Sequence, residues 1–107
     1  MSRFGEVVDR LFAVIASRAG GDVAASWSAR LIAEPTLAAK KLGEEALELA
    51  LAAVQSDRAA IVGESADVIY HFLALLAATG VSLDEVAEEL ARRESRSGVA
   101  EKASRSK

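Results

Sequence analysis

The sequence has no cysteine, one proline, one tryptophan, one tyrosine and one histidine in its 107 residues. Without cysteine there are no disulfides and no thiolate metal ligands, and a reducing cytoplasm is the expected location. Aromatic residues make up 5% of the chain while hydrophobic residues make up 51%. The apolar content is therefore alanine, leucine, valine and isoleucine, which suits closely packed helices. Positive charge is not in excess: 13 basic against 16 acidic residues leave a formal net charge of −3. That balance speaks against a nucleic-acid partner, which usually meets a basic surface. No uninterrupted apolar run reaches the roughly 18 residues of a membrane span. The opening MSRFGEVVDRL carries charge where a signal peptide needs an apolar core. No membrane association is expected, and there is no internal repeat. What remains is one small helical domain, with so limited a core that self-association would usefully bury more surface.

What is present falls into helices with readable ends. Phe4, Val7, Val8, Leu11, Phe12 and Ile15 recur at helical spacing, and Gly20-Gly21-Asp22 closes that segment. Ser26 can cap a short helix from Trp27 to Glu34, and Pro35 suits the first turn of the next helix, which runs to about Gln55. Gly43 inside that helix is expected to permit close approach of a neighbour. Ser56-Asp57 marks a break and a cap, after which Arg58 to Ala78 is apolar nearly all round and ends at Gly80. A helix of that kind is expected to be buried. Ser82 and Glu85 have capping-box spacing, and Val81, Leu83, Val86 and Leu90 are expected to face inward from the last helix. The folded domain is expected over residues 1–94, followed by a polar, mobile tail over 95–107.

The chemistry concentrates in KKLGEEALE, residues 40–48. At about 100° per residue, Glu44, Glu45 and Glu48 share an arc of about 100°. Like charges at those spacings repel, so solvent, cations or a bound metal must offset them. Glu64 and Asp67 lie in the apolar helix that follows, where an unpartnered carboxylate is costly. A short link makes the two helices antiparallel neighbours, with Glu48 eight residues before Ser56 and Glu64 eight residues after it. The two sets can then converge. An all-oxygen ligand set suits Mg²⁺ or Mn²⁺, and carboxylate-held Mg²⁺ most often serves phosphate chemistry. The bland alternative is a solvated face in which the glutamates pair with Lys40 and Lys41. His71 reads as a hydrogen-bonded core residue, and Tyr70 and Trp27 as packing residues that are also able to stack on a base.

The pattern GEEALE, then ESADVIYH, then GVSLDEVAEELARR resembles the phosphoribosyl-ATP pyrophosphatase family of histidine biosynthesis, within the all-alpha nucleotide pyrophosphatases. The superfamily signature E-E-x-x-E followed by E-x-x-D is met by Glu44, Glu45, Glu48, Glu64 and Asp67. The narrower match adds SWSARL at residues 26–31, the Tyr70-His71 pair and GVAEKASR at 98–105. Trp27 stands where the family usually has tyrosine, and Arg30 where it usually has lysine. The resemblance implies an all-α antiparallel bundle completed by homodimerisation. It implies Mg²⁺-dependent hydrolysis of phosphoribosyl-ATP, a small-molecule substrate, to phosphoribosyl-AMP and pyrophosphate. It assigns metal binding to Glu45, Glu48, Glu64 and Asp67, and a second ion or the attacking water to Glu44. Lys40, Lys41, Lys102 and Arg105 are candidates for neutralising phosphate charge. Two other readings stay open: a house-cleaning nucleoside triphosphate pyrophosphatase of the same superfamily, and a non-catalytic metal-binding helical dimer.

Overall fold

The computed structural model describes residues 2–94. The expected polar tail, with Lys102 and Arg105, lies outside the described residues. Five helices follow in order: α1 (Arg3–Ala16), α2 (Trp27–Ala33), α3 (Pro35–Val54), α4 (Arg58–Thr79) and α5 (Leu83–Arg93). There is no strand among the described residues. The fold is all-α.

Four of the five helices begin where the sequence supplies a side-chain acceptor for the orphan N–H groups of a first turn. The Ser2 hydroxyl accepts from Gly5, Ser26 from Ala29 and the Asp57 carboxylate from Ala60. At α5 the capping box is complete, with Ser82 accepting from Glu85 N–H while the Glu85 carboxylate accepts from Ser82 N–H. Pro35 occupies the start of α3, where its missing N–H costs nothing. Gly80 ends α4 at φ 75°, a left-handed conformation that favours glycine. Ser56, in the link between α3 and α4, holds φ 56° without being glycine, so that turn is locally strained.

The core is compact. Ile15, Leu31, Ala38, Leu73 and Ala74 form its buried centre, with Val8, Leu11, Phe12, Ile69 and Phe72 packed around it. α3 and α4 make the most extensive helix–helix contact, and α1 and α2 both lie against α4. α4 is by length and composition apolar enough to cross a membrane, but it packs against α1, α2 and α3 and carries Glu64 and Asp67.

Three sequence expectations do not hold. α4 is not buried all round: its centre and C-terminal half supply His71, Leu73, Ala74 and Leu76 to the interior, whereas Val62 is 66% exposed. Val62 lines an apolar groove of about 410 Å³ shared with Phe4, Val7, Leu11, Ile61 and Ile69. Leu90 does not face inward but is 60% exposed. α5 joins none of the extensive helix contacts, so only Leu83 at its start reaches the core. Gly43 does not admit a neighbour, because a Cβ built there meets nothing within 4 Å. Among the described residues, α5 and the Gly43 side of α3 meet no other helix extensively.

A carboxylate cluster between the two long helices

The short link at residues 55–57 folds α4 back along α3, and the expected convergence follows. Glu45 and Glu48 on α3 and Glu64 on α4 each bring a carboxylate oxygen within 4.8 Å of the others. Glu48 is solvent-exposed, while Glu45 and Glu64 are half-buried. At Glu64, Oε2 is fully enclosed and has no hydrogen-bond partner among the described residues. A buried carboxylate oxygen left unpaired is costly, and a cation or a shared proton is what satisfies it.

The cluster's electrostatics point the same way. Glu48 is held above its ordinary value of 4.5, first because Glu45 shares a proton with it by hydrogen bond and then because Glu45 repels its charge. Desolvation adds to the rise, while Lys41 and a hydrogen bond with Glu64 oppose it. Lys41 sits 3.3 Å from Glu44 Oε1 and 3.9 Å from Glu45 Oε1. It thus partly neutralises the α3 side of the cluster and leaves the Glu48–Glu64 side unbalanced. The donor set is oxygen only, negatively charged and partly dehydrated, which fits a hard divalent cation such as Mg²⁺. Lys41, Glu44, Glu45, Leu47 and Glu48 line an open depression beside it.

The remaining expected residues stand around this centre. Glu44 is exposed and ion-paired with Lys41, outside the three-carboxylate group. Asp67 is also outside that group and exposed, one turn beyond Glu64 on α4. Lys40 is exposed on α3.

One part of the surroundings has no counterpart in local sequence pattern. Trp27 Nε1–H donates to His71 Nε2 at 3.3 Å, and the rings meet edge-on with centroids 6.3 Å apart. An indole N–H can only donate, so Nε2 accepts and the proton of a neutral imidazole lies on Nδ1. Nδ1 in turn donates to the Asp67 carbonyl at 2.8 Å. His71 is buried with both nitrogens used, as the core reading expects. One residue earlier, the Tyr70 hydroxyl bonds the Ser28 hydroxyl. The segment 26–31 is thereby pinned along α4 at Tyr70 and His71. Only the recurrence of polar and aromatic residues in SWS and YH hinted at this, and nothing in their spacing pairs residue 27 with residue 71.

Comparison with known proteins identifies the family. Residues 8–94 match the family model of phosphoribosyl-ATP pyrophosphohydrolase. The chain is 57% identical over 103 residues to the phosphoribosyl-ATP pyrophosphatase of Caulobacter vibrioides, covering 96% of each chain. It is 57% identical over 96 residues to that of Methylobacterium radiotolerans, covering 89% of this chain and 90% of the relative. With that of Ruegeria pomeroyi it shares 51% over 102 residues, 94% and 97% of the two chains. The carboxylates between α3 and α4 therefore lie within the matched region, and the chain belongs to the phosphoribosyl-ATP pyrophosphohydrolase family.

Proposed function

We propose that this protein hydrolyses phosphoribosyl-ATP to phosphoribosyl-AMP and pyrophosphate in histidine biosynthesis, in the cytoplasm, as a Mg²⁺-dependent homodimer. The observation that carries the reading is Glu64, one oxygen enclosed and unpartnered among the described residues, meeting Glu45 and Glu48 in a chain of this family. Glu45, Glu48 and Glu64 would hold the metal, with Asp67 joining from the next turn of α4. Bound there, Mg²⁺ would neutralise charge developing on the pyrophosphate leaving group. Water adds to the α-phosphorus, the bond to the bridging oxygen breaks, and pyrophosphate departs. Glu44 orients the attacking water, and it is free to do so once Lys41 turns from it to a phosphate. Lys40 adds positive charge near the α3 glutamates, and Lys102 and Arg105, from the polar segment 95–107 that follows the catalytic domain at 1–94, are assigned to neutralising phosphate charge. A second copy covers the apolar groove around Phe4 and Val62 and the open face of α5, which otherwise place large apolar side chains in water.

The test is pyrophosphate release from phosphoribosyl-ATP with and without Mg²⁺, for the parent, Glu48→Gln and Asp67→Asn. Mg²⁺-dependent release that falls about 100-fold or more in both variants, with helix content unchanged, is expected. Release from dCTP or dUTP but not from phosphoribosyl-ATP would instead identify a house-cleaning pyrophosphatase. Metal binding without any hydrolysis would identify a binding module.

A further inference from the structure

Trp27 is a large aromatic ring, fixed against α4 through His71, that stays open to solvent. It is 41% exposed, yet its N–H edge is fixed by the buried His71 and the Arg30 guanidinium carbon lies 5.7 Å from its ring centroid. A tryptophan that served only as packing would bury its ring, because the apolar area is its main contribution to stability. Here the polar edge is anchored and ring surface is left in solvent.

Its position relative to the carboxylates is set by α4. Glu64 and His71 are seven residues apart, so they lie within about 20° of each other on the helix and about 10 Å apart along it. Trp27, bonded to His71, therefore stands at the far end of a row that begins at the metal-holding Glu64. A nucleotide held by its phosphates at the carboxylates has its base displaced from them by one ribose, a comparable span. His71 fixes the ring because its Nε2 is restricted to accepting by the Nδ1–H bond to the Asp67 carbonyl. Arg30 sits over one side of the Trp27 ring and pairs with the exposed Glu34 at 3.3 Å, a solvent-screened contact that an anion can replace.

We propose that Trp27 is the platform on which the purine ring of the substrate stacks, with Arg30 beside it to meet a phosphate or the ring edge. The identity of the purine nucleotide as phosphoribosyl-ATP rests on the functional reading above; the platform itself requires only a purine nucleotide held by its phosphates. Trp27 acts by binding and not in the chemical step, so its effect falls on KM.

The chain contains a single tryptophan, so its emission reports on this ring alone. The full-length protein with Mg²⁺ is mixed rapidly with phosphoribosyl-ATP or with inorganic pyrophosphate, which has no ring. Saturable quenching by the nucleotide and none by pyrophosphate is expected. In steady-state pyrophosphate release, Trp27→Ala and Trp27→Leu are expected to raise KM about tenfold or more and to leave kcat within about threefold. Trp27→Phe, which loses the N–H but keeps an aromatic face, should stay within about threefold of the parent KM. Leucine fills most of the volume without an aromatic face, so a leucine variant that matches the parent would show packing alone and overturn the proposal. Turnover with no change in emission would overturn it as well. Quenching by the nucleotide without any pyrophosphate release would leave the platform standing and remove the proposed reaction. Neither quenching nor release would remove both.

Discussion

Glu48 and Glu89 are both carboxylates on helical surfaces that reach solvent, and their surroundings push them in opposite directions. Glu89 on α5 is bonded by Arg92 and Arg93, one of them at 2.8 Å, and these guanidinium groups hold it down at about 2. Its neighbour Glu85 is also lowered, by the Ser82 N–H and hydroxyl of the capping box. Glu48 faces two further glutamates and is raised. The difference lies in what the chain itself supplies. At α5, Glu85 and Glu89 each find a donor within four residues, so their charge is settled locally and supports the helix. Between α3 and α4, Lys41 pairs with Glu44 and Glu45, while Glu64 Oε2 has no hydrogen-bond partner among the described residues. That cluster is incomplete without something from outside, which is the condition of a binding site rather than of a structural ion-pair network.

The contrast can be broken most directly by removing one acid from each region. Glu64→Gln is expected to lower Mg²⁺-dependent pyrophosphate release about 100-fold or more, whereas Glu89→Gln should leave it within about twofold. Equal losses would mean that the α5 acids belong to the site. A smaller effect is expected on melting temperature. Saturating Mg²⁺ should raise that of the parent by about 5 °C or more, since a ligand bound only by the folded state stabilises it. The same titration on Glu48→Gln should give little rise, and calorimetry with and without the ion reads the difference.

The smallest effects are those on the metal-free fold, and they have opposite signs. A raised carboxyl binds its proton more tightly folded than unfolded. Glu48 therefore favours the fold most below its ordinary value of 4.5, and that contribution is lost as pH rises through the raised folded value. Glu48→Gln should accordingly melt about 1–3 °C higher than the parent at pH 7, the gap closing toward pH 4. Glu89 is the reverse case: its contribution is present above 4.5 and is lost as pH falls toward about 2. Glu89→Gln should melt about 1 °C lower at pH 7 and match the parent near pH 2, because a partly exposed pair is screened by solvent. Melting curves of both variants across pH 2–7 would show whether the two lines diverge as stated.

Much of this was legible in the sequence because it is decided by near neighbours. Caps at Ser26, Asp57 and Ser82, proline at the start of α3 and glycine at the end of α4 act within four residues of themselves, and each appears as expected. The meeting of Glu45, Glu48 and Glu64 was also within reach, because a short link between two helices fixes which residues stand at equal height. What pattern did not yield depends on the third dimension. The open faces at Val62 and Leu90 look the same in sequence as buried ones, since apolar periodicity states that a face wants cover but not what covers it. Gly43 likewise carries no sign of which way its side of the helix points. The Trp27–His71 bond joins residues 44 positions apart, beyond any spacing rule.

The brevity of the link between α3 and α4 bears on how the molecule comes to be made. Every acid of the proposed centre lies in the single stretch from Glu44 to Asp67, on one hairpin closed by residues 55–57. Closing so short a loop costs the chain little entropy, and contacts between segments near in sequence form early and fast. The carboxylates are thus gathered by the most local event in the folding of this chain. A centre assembled from distant segments would have to wait for the slowest one.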